Sequence, residues 1–532
     1  MTEKPKTSRS LAGIAGIVAV ATLISKVFGL VRQQAIAAAF GVGAAVDAYS
    51  YAYVIPGFLL ILLGGINGPF HSAIVSVLAK RDKSEAAPLV ETITTLVGSL
   101  LVVVAIVLML FAGFFIDLVG PGLNQEVRAI AIQQLQIMAP MAVLAGLIGI
   151  GFGTLNAADM YWLPSVSPLF SSITVIGGLG ILAAYLGDQI NAPKYIQLGG
   201  MVLAWGTLSG ALLQWLVQLS AQWQAGMGKL RLRFNWNLPG VQDVLKVMGP
   251  ATLSSGMLQI NLYTDLFFAS AIPQAAAAMV YAGLLVQTPL GIISNVILVP
   301  LLPIFSRLAD PENWPELKVR IRQGLLLSAI TMLPLSALMI TLAFPIVRVV
   351  YERYAFNQQA SQLVASVLIA SSLGMFVYLG RDVLVRVFYA LGDGETPFRI
   401  SMVNIFLNAL LDYILVKPLG VPGLVLATVG VNLASMLMLL WVLNRKLNGL
   451  PWQEWSWPIL SLTGISFIAG LASWGISWEL QKIWNADSLL VQLLQISLAG
   501  IVGLGLFAIL ASRLNLPEVN IFASRLRQRF RR

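Results

Sequence analysis

The chain has 532 residues, 58% hydrophobic and only 11% charged, with a mean hydropathy of +0.83; a soluble domain averages about 25% charged residues, so a multidomain soluble enzyme is excluded in favour of a polytopic membrane protein. The apolar runs are long rather than alternating, which fits helices spanning about 20 apolar residues each and excludes a β-barrel. No cysteine and a single histidine, His71, exclude disulfides, thiolate chemistry and multi-histidine metal sites, and the net charge of +10 is expected from basic cytoplasmic loops rather than nucleic-acid binding.

The N-terminus, Met1 to Arg9, is short and polar. The apolar stretch after it lacks a small-residue cleavage site and is expected to be retained as a first span. About fourteen spans are predicted, at 12–40, 47–79, 88–116, 127–156, 163–186, 196–222, 242–271, 276–306, 319–350, 358–391, 396–416, 421–444, 456–478 and 488–512. Span one carries Lys26 and Arg32, set about 120° apart on a helix that turns 100° per residue. A charge within a span costs about 2.5–3.5 kcal/mol on insertion scales, so each invites a functional reading. Together these two would attract an anionic headgroup such as a phosphate or pyrophosphate. The alternative is snorkelling to an interface, hardest for Lys26 near mid-span. Asp47, at the start of span two, pairs with one of these bases or caps its helix. His71, toward the cytoplasmic end of that span, reads as a hydrogen-bonded core residue before a proton relay.

In the second half, Asp265 lies deep in span seven, behind Asn261. Span ten carries Arg381, Asp382 and Arg386, either a structural ion pair or cavity lining. Asn408 and Asp412 in span eleven are four apart and share a helical face; Thr428 lies a third of the way into span twelve. Two carboxylates, an amide oxygen and a hydroxyl suit a small hard cation such as Na⁺, or proton exchange. Spacing alone does not bring the three helices together, and separate polar networks are the alternative. Trp452, Trp455 and Trp457, at the start of span thirteen, read as interfacial anchors. The basic run Arg525 to Arg532 reads as a topology determinant against anionic lipid.

An even number of spans puts both termini on one side. Taken as cytoplasmic, that side holds 23 lysines and arginines against 6 opposite, which supports the orientation. The chain also looks duplicated. Ala21-Thr-Leu-Ile-Ser25 in span one matches Ala251-Thr-Leu-Ser-Ser255 in span seven, and Tyr51-Ala-Tyr-Val-Ile-Pro56 in span two matches Tyr281-Ala through Pro289 in span eight. The junctions Asn156 to Pro164 and Gly392 to Pro397 correspond likewise. An offset of six spans preserves sidedness, so the expected fold is all-α, with two parallel six-helix repeats plus two C-terminal helices. Such repeats suit alternating access. The expected parts are an N-terminal six-helix lobe (1–222), a basic cytoplasmic linker (223–241), a C-terminal six-helix lobe (242–444), two extra helices (456–512) and a basic cytoplasmic tail (513–532). No phosphate-binding Gly-x-x-x-x-Gly-Lys-Ser/Thr loop is present, so an enzyme is not expected and the energy would come from an ion gradient, the membrane potential or the substrate gradient.

Ser25-Lys-Val-Phe-Gly29-Leu-Val-Arg32, with Phe40-Gly41 through Asp47-Ala-Tyr, resembles the N-terminal signature of the MurJ (MviN) lipid II flippases. So do Gly249-Pro250-Ala, Leu298-Val-Pro300-Leu-Leu-Pro303, and Phe388-Tyr-Ala-Leu-Gly-Asp393 with Thr396-Pro397. The resemblance covers nearly the whole chain and implies membership of the superfamily of multidrug, oligosaccharide-lipid and polysaccharide exporters. It implies movement of the undecaprenyl-pyrophosphate-linked peptidoglycan precursor, lipid II, from the inner to the outer leaflet of the cytoplasmic (inner) membrane, with spans thirteen and fourteen forming a groove for the lipid tail. By position, Lys26 stands where the family usually has an arginine, Arg32 and Asp47 match cavity residues, and Asp265, Asn408, Asp412 and Thr428 resemble the family's sodium site.

Two departures stand out. Where the family typically has cavity arginines after the span-two proline, this chain has Pro56-Gly-Phe-Leu-Leu-Ile-Leu-Leu; where it has an Asp-Arg pair in span eight, this chain has Tyr281-Ala-Gly283-Leu284. Either lipid II is held by Lys26, Arg32 and other groups, or the cargo is less anionic. The expected function is a lipid II flippase working by alternating access, coupled to an ion or the membrane potential, with no cofactor beyond Na⁺ as a coupling ion. Its partners would be lipid II, membrane lipids and the cell-wall synthesis machinery. The alternatives are an exporter of another lipid-linked glycan or a cation-coupled drug exporter, and a non-transporting scaffold, against which the intramembrane charges argue.

Overall fold

A computed structural model describes residues 11–64, 69–78, 83–246, 260–484 and 488–518, with 248 and 252 besides. The middle of span seven with the Gly249-Pro250-Ala segment, and the basic runs at both termini, lie outside the described residues. Every regular element described is helical. The chain forms two compact units, Met1–Ala277 with Arg353–Phe356, and Ala278–Glu352 with Asn357–Arg532.

In the first unit, α1 (Leu11–Phe40), α2 (Ala44–Gly64), α3 (Pro69–Leu78), α4 (Lys83–Leu110), α5 (Ala112–Val119), α6 (Gln125–Met138), α7 (Met141–Ala157), α8 (Trp162–Val166), α9 (Leu169–Leu186), α10 (Ile196–Gln224) and α11 (Ile260–Ala269) follow in order. Helix α7 is central: α2, α3, α4 and α10 all pack on it. Its sequence explains why, since Gly146, Gly149 and Gly153 repeat on one face and let backbones approach. A Cβ at Gly149 would sit 1.9 Å from the Leu63 carbonyl oxygen.

α12 (Ala275–Arg307) carries the chain across the division. The second unit continues with α13 (Trp314–Thr341), α14 (Ala343–Tyr351), α15 (Gln358–Leu373), α16 (Met375–Ala390), α17 (Glu395–Leu419), α18 (Val421–Lys446), α19 (Trp452–Ile483) and α20 (Leu489–Ser512). α17 packs along α18, and the α19–α20 pair packs on α13 through Leu326, Ala329, Leu462, Ala469 and Phe507. Between α16 and α17, burial alone would raise the Asp393 carboxyl. Hydrogen bonds from Lys446 Nζ (2.6 Å) and from Thr396 prevail and hold it below its ordinary value.

Among the described residues eleven helices are long and apolar enough to cross a membrane, or twelve if the pair α6–α7, bent by 43°, is one span. The bend falls at Ala139-Pro140, where proline removes a helical N–H. Fourteen is not reached in that tally: α1 stands outside it, and the middle of span seven lies outside the described residues.

The internal duplication is visible in the backbone. A 28-residue helix broken after one residue from a short one occurs as α4–α5 and again as α13–α14. A helix broken in mid-span occurs as α6–α7 and again as α15–α16. Asn124 caps α6 and Asn357 caps α15, each accepting from an N–H three residues on. Gly187 and Gly420 end α9 and α17 with matching angles, φ 53°, ψ −130° and φ 62°, ψ −137°, a conformation open mainly to glycine. Of the three tryptophans opening α19, Trp452 and Trp457 are exposed as expected of anchors, but Trp455 is buried in the helix packing.

Candidate functional site

Arg32, on α1, meets α9. α10 lies close against α9 because Gly210 faces Ser171, where a Cβ would come within 2.4 Å of the Ser171 Cα. Ser171 is thereby brought to Arg32, whose Nη1 donates to its Oγ at 3.5 Å, a weak contact. The Arg32 Nε is buried without a partner. Tyr49 and Tyr53, four apart on α2, stack with centroids 5.5 Å apart and planes at 18°. Tyr49 shares a 2.7 Å hydrogen bond with Thr207 of α10, and the Arg32 charge acts on both phenols. The guanidinium thus contacts Ser171, with Tyr49, Tyr53 and Thr207 as a cluster of hydroxyls nearby. Lys26 lies one and two-thirds turns earlier on α1 with its side chain exposed.

Asp47 does not join this group through an ion pair. Its carboxylate accepts the backbone N–H of Gln274 (3.2 Å) and of Ala277 (3.1 Å). It thus caps the start of α12 rather than its own helix. That helix opens on alanines, which offer no side-chain cap.

In the second unit, Asn408 Nδ2 donates to Asp412 Oδ2 at 2.6 Å, and both side chains are fully buried. Thr428 lies on α18, the helix packed along α17. Asn432 donates to the Thr428 carbonyl oxygen (2.7 Å) and accepts from Arg381 Nη1 (2.9 Å). Arg381 is thus held by an amide rather than by the adjacent Asp382, which is exposed. Asp265 is buried on α11, in the first unit; the Asn261 side chain lies outside the described residues. Among the described residues no group of three or more histidine, aspartate or glutamate side chains is placed to hold a metal ion, so a cation here would draw on the amide and hydroxyl oxygens of Asn408 and Thr428 beside Asp412.

His71 is hydrogen-bonded to Asn156 at 2.7 Å between Nε2 and Nδ2, a core contact. Sequence reading passed over several groups. Glu91, in span three, accepts the Lys229 N–H (2.8 Å) and pairs with Arg233 (2.7 Å), which ties the basic linker to α4. Tyr49, Tyr53, Ser171, Thr207 and Asn432 were also missed. The i, i+4 spacing of the two tyrosines was the available signal.

The family model described as lipid II flippase MurJ matches residues 36–495. A Synechocystis sp. protein, a probable lipid II flippase MurJ, is 62% identical over 532 residues, covering 100% of both chains. The lipid II flippase MurJ of Burkholderia cenocepacia is 28% identical, over 88% of this chain and 89% of that one. A solved structure of a lipid II flippase MurJ in an inward closed conformation shares the fold with a TM-score of 0.75 at 22% identity, covering 93% of this chain and 98% of that one. An inward-facing MATE family multidrug resistance transporter of the MOP superfamily shares it with a TM-score of 0.60 at 17% identity, over 82% and 99%.

Proposed function

The chain belongs to the lipid II flippase MurJ family, and we propose that it moves lipid II from the inner to the outer leaflet of the cytoplasmic membrane by alternating access. It is a polytopic membrane transporter, not an enzyme. Lys26 and Arg32 receive the anionic headgroup, while Asp47 holds the start of α12. Asp265, Asn408, Asp412 and Thr428 hold a coupling cation, Na⁺ by their oxygen chemistry. Both termini are cytoplasmic on the asymmetry of basic residues. The α19–α20 pair takes the lipid tail, and membrane lipids and the cell-wall synthesis machinery are the further partners.

The observation that carries this reading is Arg32: a guanidinium inside a span, with a buried Nε that has no partner among the described residues. Such a group is costly unless an acceptor meets it, and a phosphate meets an arginine fork edge-on. The test is depletion of the protein with lipid II measured in each leaflet, followed by complementation with wild type or Arg32→Ala. Inner-leaflet accumulation, relieved by wild type and not by Arg32→Ala, is expected. Depletion without accumulation would overturn the lipid II assignment. The apolar run after Pro56 and the Gly283-Leu284 pair favour, as a second reading, a less anionic lipid-linked glycan. In that case depletion would accumulate that lipid instead.

A further inference from the structure

The site around Arg32 holds less positive charge than its task demands, and the structure indicates what supplements it. We propose that Tyr53 is a headgroup-recognition residue whose phenol donates a hydrogen bond to a phosphate oxygen neutralised by Arg32. The inference rests on the reading of Arg32 as the headgroup site.

Three observations carry it. First, Arg32 is under-satisfied: of its five N–H donors, one makes a 3.5 Å contact to Ser171 and Nε has no partner. Second, the two tyrosines differ in what their hydroxyls do. Tyr49 is committed to Thr207 at 2.7 Å. The Tyr53 phenol makes no hydrogen bond among the described residues, and its side chain is only half-buried. Third, the Tyr53 ring is held in place. It stacks on Tyr49 and lies over Gly57, where a Cβ would come 2.5 Å from the Tyr53 Cε1. A side chain at position 57 would displace it.

The chemistry fits. A phosphodiester or diphosphate offers more acceptor oxygens than one guanidinium can occupy. Additional arginines would carry the insertion cost of a charge within a span. A neutral phenol donates without that cost, and a hydrogen bond to an ionised acceptor is about twice as strong as one between neutral groups. Tyr53, in the same unit as Arg32 and stacked on the Tyr49 that Thr207 holds, supplies such a donor.

The test uses purified full-length protein in detergent, titrated with lipid II and with the same polyprenol lacking phosphate. Tyr53→Phe removes only the hydroxyl and keeps the stacked ring. It is expected to weaken lipid II binding about tenfold or more, with unchanged thermal melting and unchanged salt dependence, since no charge is lost. Arg32→Ala is expected to weaken binding and also flatten the salt dependence. Tyr49→Phe, which breaks an internal bond, is expected to lower thermal melting more than binding. Lipid II binding by Tyr53→Phe within about twofold of wild type would overturn the role of Tyr53 and leave the cargo assignment standing. Wild type that binds lipid II no better than the bare polyprenol would overturn the cargo assignment and the Tyr53 inference together.

Discussion

Asp47 offers a sharp separation between a structural and a substrate role. Its carboxylate is buried, with 4% of its surface exposed, and it receives two N–H groups at the start of α12, at 3.2 and 3.1 Å. Ala277 is fully buried, so water cannot replace the carboxylate there, whereas Gln274 is exposed and its N–H can turn to water. Asp47→Ala therefore removes a cap and strands one buried donor, worth about 1–3 kcal/mol. Because the bonds are long, the lower part of that range applies and about 1–2 kcal/mol is expected. Asp47→Asn keeps one acceptor oxygen for the buried Ala277 N–H, while its NH2 cannot accept from Gln274, which turns to water; about 1 kcal/mol is expected from that lost bond and the loss of charge assistance. Thermal melting in detergent should rank wild type first, Asp47→Asn close behind, and Asp47→Ala last. Complementation of a depleted strain should follow the same order. If Asp47→Asn melted like wild type yet failed to complement, the capping account would be refuted and the charge itself would be serving the substrate.

Sodium should raise the melting temperature of wild type at constant ionic strength, where replacement by choline should not. A saturating ligand at about 100 times its Kd contributes about 2.7 kcal/mol, and Asp265→Asn and Asp412→Asn should each abolish that response. An unchanged response in both would reject the cation site. Gly149→Ala should destabilise by about 1–3 kcal/mol, because its Cβ would meet the Leu63 carbonyl, a rigid backbone atom. Gly177→Ala, with nothing within 4 Å of the added Cβ, should be neutral or stabilise by up to about 1 kcal/mol; equal melting of the two variants would show that backbone approach at α7 does not limit stability.

The spans were legible in the sequence because apolar length is a constraint the bilayer imposes on each helix separately. The breaks within them were less so. Phe111 and Leu342 interrupt α4–α5 and α13–α14. Gly113 and Pro345 stand just beyond them, weak local signals that do not by themselves give the position of the break. Charges within spans were legible for the same reason that makes them rare, their insertion cost. Glu91 escaped notice because its partner, Arg233, lies on the linker far along the chain. Asp47 was legible as a residue but not as a cap for α12, since its partners Gln274 and Ala277 are more than two hundred residues away. The hydroxyls of Tyr49, Tyr53 and Thr207 carry no insertion signal strong enough to single them out, and only proximity to Arg32 gives them meaning.

The duplication sharpens this point. Its sequence trace is faint, yet Asn124 and Asn357, Asp159 and Gly392, and Gly187 and Gly420 stand 233 residues apart with corresponding turns or caps. What the two repeats share is backbone conformation at helix ends. What they do not share is the polar content of their spans: the first holds Arg32 beside the Ser171 hydroxyl, the second Asn408 and Asp412 on one buried face. A helix end is fixed by backbone geometry, which only a few residue types satisfy, whereas a polar group inside a span is fixed by its own partners. The backbone was thus retained where helices begin and end, and the polar groups diverged within the spans.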